Sequence, residues 1–128
     1  MPEWTFNISP VAASRPRVSR HGAYFTGPYK QFRCDMINLI PEVIGSEFIP
    51  FSIPISVDIE FYCKQPKKTK LSAPRADIDN YLKAAFDCMN GNLWDDDTLI
   101  QKVYATKQWA PKSDGAGYFT IGVEEIKE

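Results

Sequence analysis

The chain has 128 residues, of which 44% are hydrophobic and 13% aromatic, and its formal net charge is −1. This length and composition suit one folded domain with a real core, and they exclude an intrinsically disordered chain. No apolar run reaches the ~20 residues that span a bilayer, and the amino terminus lacks a signal pattern, so we expect a cytoplasmic protein with no membrane partner.

Two short strands and one helix are predicted in the first third of the chain. Apolar and polar residues alternate over 4–8, which predicts a first strand, and 23–26 form a shorter second one. Apolar residues at helical spacing then predict a helix over 28–40, with Pro41 as its stop.

The middle of the chain carries the clearest local patterns. Apolar and polar residues alternate without a break over 55–63, which predicts a strand, and a lysine-rich loop follows over 64–75. Helical spacing predicts a second helix over 79–90, which Gly91 ends in a left-handed cap. Its apolar face is made of Ile78, Leu82, Ala85, Phe86 and Met89.

Two further strands are predicted near the C-terminal end. They cover 99–109 and 118–123, and the turn at 112–115 between them leads us to expect an antiparallel hairpin. Residues 1–128 therefore predict a single α+β domain in which two helices pack on one face of a mixed sheet.

The basic residues are separated from the acidic ones along the chain. No acidic residue lies between Val11 and Arg33, or within the loop over 64–75. Such segments suit contacts with DNA phosphates, although two solvated loops would show the same pattern. The residues that we assign to DNA binding are Arg15, Arg17, Arg20, Lys67, Lys68, Lys70 and Arg75.

The remaining aromatic, histidine and cysteine residues have structural alternatives to a functional role. Tyr24, Phe25, Tyr29 and Trp94 are candidates for stacking on unpaired bases, with core packing as the alternative. We expect His21 to contact phosphate or solvent. The 3 cysteines include no CxxC pair, which argues against zinc and disulfide frameworks and favours buried or half-buried thiols.

Six aspartates stand between positions 77 and 97. Like charges 4 Å apart repel by about 4 kcal/mol at an effective dielectric near 20, so clustered carboxylates usually recruit a cation. Asp77 and Asp79 open the second helix, with Lys83 one turn further on the same side, and we assign both aspartates to a hard divalent ion. The alternatives are a simple helix cap for the aspartates and a surface ion pair for Lys83.

The third carboxylate is expected among Asp95, Asp96 and Asp97. The helix over 79–90 rises about 16 Å, so the chain after Gly91 has to return that far to meet its start. Of the three, Asp97 has the longest stretch of chain after Gly91 with which to reach Asp77 and Asp79. We therefore assign Asp97 as the ligand and Asp96 as a supporting carboxylate, and leave the role of Asp95 open.

These residues resemble the RusA family of phage and prophage Holliday junction resolvases. The matching residues are Asp77, Asp79, Asn80, Lys83, Asp87, Trp94, Asp96 and Asp97, and Lys107 stands where that family places a further lysine. The basic segment over 14–30 extends the resemblance over most of the chain. The chain departs from the pattern at Leu99, which replaces a glutamine, and at Asp95, a third consecutive aspartate.

The resemblance implies a metal-dependent endodeoxyribonuclease that resolves Holliday junctions in recombination and repair. Asp77, Asp79 and Asp97 would hold Mg²⁺, with Mn²⁺ possible, Lys83 would be catalytic, and Asp96 and Lys107 would support the site. Because a four-way junction has two-fold symmetry and exceeds the surface of one small domain, we expect a homodimer that cuts two opposed strands. The resemblance also implies a bacterial host cytoplasm and a phage or prophage origin.

Two other classes of protein remain open from the sequence. A relative without nuclease activity would bind branched DNA through the same basic segments. A structural protein with an acidic Ca²⁺ loop is the other alternative, although the chain lacks the spaced aspartates and glycine of such a loop.

Overall fold

The computed structural model describes residues 1–14, 17–24, 27–111 and 116–127. The elements within these ranges are strands β1 (Glu3–Phe6), β2 (Arg17–Ser19), β3 (Gly22–Tyr24), β4 (Ile55–Cys63), β5 (Ile100–Trp109) and β6 (Tyr118–Glu125), and helices α1 (Gly27–Ile44) and α2 (Ile78–Met89). A short 3-10 helix over Asp97–Leu99 precedes β5. Arg15, Phe25 and the predicted turn at 112–115 lie outside the described residues.

Strand β4 is central to the main sheet, whose strand order is β1-β6-β4-β5. It pairs in parallel with β5 and antiparallel with β6. Alternate residues of β4 are buried on one face, and the residues between them face a more open side. The strand predicted over 55–63 is therefore confirmed, because strict alternation is the signature of a strand with one covered face.

The expected hairpin between the last two strands is wrong. Strand β6 lies between β1 and β4, whereas β5 lies on the far side of β4. Burial agrees with this order, because 121–123 in β6, which has neighbours on both sides, are all buried, while 101–104 in β5 are all exposed. Strand β5 reaches its place beside β4 through α2, the kind of crossover that parallel neighbours require.

Helix α1 runs through Pro41 instead of stopping before it. Proline lacks the N–H that would bond the carbonyl of Ile37. Because Ile37 is 71% exposed, that carbonyl lies on the solvent side of the helix, where water can bond it. Buried Ile40 and partly buried Val43 and Ile44 hold the last turn against the core, so the end predicted at residue 40 is wrong.

Both helices pack on the same face of the main sheet. Phe61 and Phe119 are register partners on β4 and β6, so their side chains share a face. The Tyr81 ring of α2 lies 5.5 Å from Phe61, and the Phe32 ring of α1 lies 6.4 Å from Phe119. The predicted α+β fold with a mixed sheet is confirmed.

The buried stripe of α2 is rotated from the one that we predicted. Tyr81 and Ala84 are buried together with Ala85 and Met89, whereas Ile78, Leu82 and Phe86 are partly exposed. The rotation follows from the sheet, because the Tyr81 ring packs on Phe61. It leaves Asp79 and Lys83 on the exposed side, as the sequence predicted.

Short strands and free thiols complete the fold. The predicted strand over 4–8 is observed as β1, which ends at Phe6, and the strand predicted over 23–26 corresponds to β3, paired with β2.

All three cysteines are free. Cys63 is buried and Cys88 is partly buried, but Cys34 is exposed, contrary to expectation. Neither helix in the described ranges has the length and apolar character that crossing a bilayer demands.

Candidate active site

Asp77 occupies the N-cap position of α2, but its side chain makes no capping hydrogen bond. Its backbone carbonyl instead accepts from the N–H of Asn80 at 3.1 Å. The carboxylate is exposed and extends from a β-type backbone, with φ −67° and ψ 142°. The capping alternative for Asp77 is therefore wrong, and its two carboxylate oxygens face solvent at the start of the helix.

Asp79 and Lys83 extend the same exposed surface along α2. Asp79 lies in the first turn, and Lys83 follows four residues later, a spacing that places the two side chains on one side of a helix. Both residues are exposed. Two carboxylates and one ammonium group are thus presented together to whatever approaches the N-terminal end of α2.

Lys107 ties strand β5 to the loop that leads into Asp77. Its ammonium donates hydrogen bonds to the backbone carbonyls of Pro74 at 3.0 Å and Ala76 at 2.6 Å. Trp109 on the same strand donates from its indole Nε1 to the carbonyl of Leu71 at 3.0 Å. The loop is therefore held at three points to the strand beneath it, and the position of Asp77 depends on β5.

The aspartates at 95–97 form a separate group before β5. The N–H of Asp95 donates to the carbonyl of Phe51 at 2.9 Å. Asp96 caps the 3-10 helix, and its Oδ2 accepts from the N–H of Thr98 at 3.1 Å. Hydrogen bonds from the side chain and the backbone of Thr98 hold the pKa of Asp96 below its usual value. Asp97, the first residue of that 3-10 helix, is exposed.

Asp97 and Asp77 lie at opposite ends of the β4-α2-β5 unit. Helix α2 starts beside Lys107 and covers about 18 Å with its 12 residues. From Ile100, three residues after Asp97, to Lys107 the strand covers about 23 Å. Among the described residues, no three acidic, histidine or cysteine side chains gather closely enough to hold an ion.

Within one copy of the chain, residues 92–97 do not return to the start of α2, contrary to expectation. Gly91, at φ 80°, donates its N–H to the carbonyl of Trp94 at 2.7 Å, which closes a tight turn at the far end of α2. The chain then enters β5 and runs back along the sheet. The assignment of Asp77, Asp79 and Asp97 as ligands stays a prediction, since one protomer does not bring all three together.

The second basic segment and the start of the first lie near Asp77. The N–H of Ala13, just before the first segment, donates to the carbonyl of Asn80 at 2.9 Å, which places Ala13 beside the first turn of α2. Arg20 and His21 are exposed at the tip of the β2-β3 ribbon. Exposed cations of the second segment occupy the loop between β4 and Asp77, namely Lys67, Lys68, Lys70 and Arg75.

Two aromatic residues proposed for base stacking are buried instead. Trp94 is 0% exposed, and its Nε1 donates to Asn90 Oδ1 at 2.7 Å. Tyr29 is 2% exposed, and its hydroxyl donates to Asp87 Oδ2 at 3.2 Å. Trp94 and Tyr29 are therefore core residues, and Asp87 supports Tyr29. The side chains of Tyr24 and Phe25 lie outside the described part of the structure.

Sequence analysis missed the contacts that position the site. Lys107 was identified only by its place in a family pattern, and nothing in the sequence marked Pro74 and Ala76 as its acceptors. The same holds for the bond between Ala13 and Asn80. Backbone groups carry no residue-specific signal, so only the tertiary structure reveals these contacts.

Comparison with known proteins gives one family. The model of the endodeoxyribonuclease RusA matches residues 7–115 of the chain. The matched region contains both basic segments, the aspartates at both ends of α2, and Lys107. No curated protein matches the chain.

Proposed function

The chain belongs to the RusA family of endodeoxyribonucleases, and from this membership we propose that it cleaves four-way DNA junctions by metal-dependent hydrolysis, acting as a homodimer. The family match over most of the chain is the observation that carries the proposal. Membership implies an endonuclease that resolves Holliday junctions; the metal, the paired cuts, the bacterial cytoplasm and the phage origin stay predictions.

The donors at the start of α2 fit a hard divalent ion. Asp77 and Asp79 present exposed carboxylates that are not used for capping, and oxygen ligands are those that Mg²⁺ and Mn²⁺ prefer. Such an ion, when bound, would lower the pKa of a water molecule and screen the scissile phosphate. The cost of placing two carboxylates side by side is then offset by the charge of the cation.

A dimer supplies what one protomer lacks. Because Asp97 lies at the other end of β5 from Asp77 and Asp79, a complete set of three carboxylates requires Asp97 from a second copy. A two-fold axis across the sheet brings opposite ends of two protomers together and creates two equivalent sites. Two sites related by two-fold symmetry match the symmetry of a four-way junction and account for paired cuts.

Lys83 and the basic segments would act on the phosphates, whereas Lys107 has a positioning role. Lys83, one turn from Asp79, would place its ammonium against the charge that develops on the scissile phosphate. Lys107 makes its bonds to backbone carbonyls, so it positions Asp77 rather than touching DNA. The basic segments on either side would grip the junction arms through phosphate contacts, which carry no sequence information by themselves.

A junction-cleavage assay with and without EDTA tests the proposal. We expect Mg²⁺-dependent nicking of a labelled four-way junction, and its loss in Asp77→Asn and Asp79→Asn with binding retained, because each change removes ligand charge only. Asp35→Asn on the exposed surface of α1 is the matched control and should cut normally. Junction binding without any cleavage at any Mg²⁺ or Mn²⁺ concentration would favour the inactive DNA-binding alternative.

A further inference from the structure

The face of the main sheet that turns away from both helices is uncovered. Register partners on neighbouring strands point to the same face of a sheet. This open face therefore consists of the even-numbered residues of β4 and β6, those of β5 from Lys102 onward, and Glu3 and Thr5 of β1. Among the described residues that form it, only Gly122 is buried. The open face is thus accessible to a partner, whereas α2 and its carboxylates lie on the other side of the sheet.

The open face is acidic, in contrast to the basic segments. Lys102 is its single cation among the described residues, against the carboxylates of Glu3, Asp58, Glu60 and Glu124. Negative charge repels DNA phosphates, and it would also repel the open face of a second copy packed against it. Charge complementarity therefore favours a cationic protein as the partner of this face.

Two tyrosines hold one of these carboxylates in place. The hydroxyl of Tyr62 donates to Oε2 of Glu60 at 2.6 Å. The Tyr62 ring stacks on that of Tyr118, its register partner on β6, with the ring centroids 4.5 Å apart. The hydrogen bond to Glu60 raises the pKa of Tyr62 to about 12, so the hydroxyl stays a donor at neutral pH. Because Glu60 is exposed, its second carboxylate oxygen can accept from a partner.

Tyr104 and Asp58 together suit a guanidinium group. They are register partners on β5 and β4, so their Cα atoms lie about 5 Å apart. Tyr104 is 67% exposed. A planar guanidinium can pair with a carboxylate through two N–H groups and also stack on an aromatic ring, whereas a lysine ammonium has no such plane. The pair therefore favours arginine over lysine.

The spacing of the central carboxylates favours an extended partner. Asp58 and Glu60 are two residues apart on β4, which separates them by about 7 Å along the strand. Alternate side chains of an extended segment recur at the same interval of about 7 Å. Arginines at every second position of such a segment would meet both carboxylates at once.

We propose that the open face docks an extended protein segment with arginines at alternate positions, which lies along β4, pairs with Asp58 and Glu60, and stacks one guanidinium on Tyr104. This docking surface goes beyond the proposed function and uses no residue of the candidate site or of the basic segments. A partner protein and DNA would therefore bind the chain through different residues.

Amide shift mapping locates the docked segment. The probe is a heptapeptide of alternating threonine and arginine, titrated at low salt into isotope-labelled protein. We expect the largest shifts on the open face, around Asp58, Glu60 and Tyr104. Largest shifts at Asp77, Asp79 or 95–97 would show that the peptide binds the carboxylates of the candidate site instead, and would overturn the proposal. Shifts on the open face that follow dilution of the protein alone would show a second copy seated there, and would overturn it as well.

Variants matched in charge test the surface by affinity. The double variant Asp58→Asn, Glu60→Gln should weaken binding of the labelled peptide about three- to tenfold in fluorescence anisotropy, since two exposed ion pairs are lost. The control double variant Asp35→Asn, Glu42→Gln removes the same charge from exposed positions on α1 and should keep the affinity within about twofold. Circular dichroism checks the fold of both. Equal weakening in the two double variants would reduce the effect to net charge and contradict a defined surface.

The aromatic contact has its own test. Tyr104→Ala should weaken binding of the arginine peptide about two- to fivefold, whereas Tyr104→Phe should not, because the ring face carries the contact. A peptide with lysine in place of arginine should bind more weakly to the wild type and should not distinguish Tyr104→Ala from it. Arginine-peptide affinity that is the same in Tyr104→Ala and the wild type would remove the stacking contact and overturn the proposed geometry.

Single-stranded DNA is the remaining occupant to compare. A deoxythymidine octamer should cause no shifts on the open face, because its phosphates are repelled by the carboxylates. Octamer shifts at Tyr62, Tyr104 and Tyr118, with none caused by the peptide, would make this a nucleic-acid surface and overturn the proposal. None of these measurements needs metal or cleavage, so an inactive protein that docks the peptide would contradict the nuclease proposal and leave the docking surface standing.

Discussion

The Nζ atom of Lys107 lies 2.6 Å from the backbone carbonyl oxygen of Ala76, the residue immediately before Asp77. A side chain on an edge strand thereby positions the first carboxylate of the candidate site. Since Lys107 is partly buried, its charge strengthens these hydrogen bonds to backbone acceptors. The site thus depends on the pairing of β5 with β4 although none of its own carboxylates belongs to β5.

Replacing Lys107 with methionine should release the loop before Asp77. We expect a loss of about 1–3 kcal/mol in the free energy of unfolding, typical of removing hydrogen bonds to a charged group. Misplacement of Asp77 should slow junction cleavage about 10- to 100-fold. Denaturant unfolding and single-turnover cleavage measure the two effects.

Lys102→Met on the exposed part of the same strand is the control for Lys107→Met, and it should keep both stability and cleavage rate. If Lys107 contacted DNA instead, its replacement would weaken junction binding and reduce the salt dependence of that binding. An unchanged cleavage rate in Lys107→Met would show that the loop does not need this anchor.

Mixing two inactive variants should restore activity. Asp77→Asn and Asp97→Asn should each be inactive alone. If every site takes Asp97 from the second copy, a mixed dimer has one site with both substitutions and one intact site. Random exchange of subunits places such dimers in about half of the population, so about a quarter of the wild-type sites return.

The restored activity should appear as nicking of one strand, because only one site in a mixed dimer is intact. Gel analysis of a labelled junction distinguishes single nicks from paired cuts. Activity that never rises above that of the separate variants, after proven subunit exchange, would place all three carboxylates in one protomer. The same variants each mixed with Asp35→Asn give the reference for dimers that carry one substitution.

Asp96→Asn should retain most activity, whereas Asp97→Asn should not. Asparagine keeps a side-chain oxygen that can accept from the N–H of Thr98, so the cap survives, while Asp96→Ala removes it. Hydrogen–deuterium exchange of the Thr98 amide should therefore accelerate in Asp96→Ala only. An inactive Asp96→Asn variant with normal Thr98 protection would make Asp96 a ligand.

The cap of Asp96 should also respond to acid in a defined direction. Hydrogen bonds from Thr98 lower the pKa of Asp96 in the folded state. The stabilising effect is therefore fully present above the unfolded pKa of about 3.9, and it is lost as the pH falls through the lower folded value. NMR titration of Asp96 and of the Thr98 amide should show both signals changing together below pH 4.

The first basic segment should control the salt dependence of junction binding. Replacing Arg15, Arg17 and Arg20 together with alanine should weaken binding to all junctions and lower the log–log salt slope by up to about 0.9 per lost phosphate contact. Lys127→Ala, an exposed cation outside both basic segments, should leave the slope unchanged. An unaltered slope in the triple variant would place the ribbon away from DNA.

Local patterns in the sequence predicted most of the elements and the exposed side of α2. The alternation over 55–63 predicted β4, and helical spacing with a glycine end predicted α2, since both depend on residues close in sequence. Asp77, Asp79 and Lys83 share an exposed side for the same reason: their spacing is set by one turn of helix. The α+β class followed from the order of these elements.

Relations between distant segments required the tertiary structure. The strand order places β6 inside the sheet and β5 at its edge, and no local pattern in the sequence distinguishes that order from a hairpin. Packing of the last turn of α1 against the core outweighed the stop expected at Pro41. The separation of Asp97 from Asp77 follows from the parallel pairing of β4 and β5, because a helix that connects parallel strands carries the chain from one end of the sheet to the other. Composition and spacing therefore specified which carboxylates are present, whereas the direction of β5 specified that one protomer holds them at opposite ends.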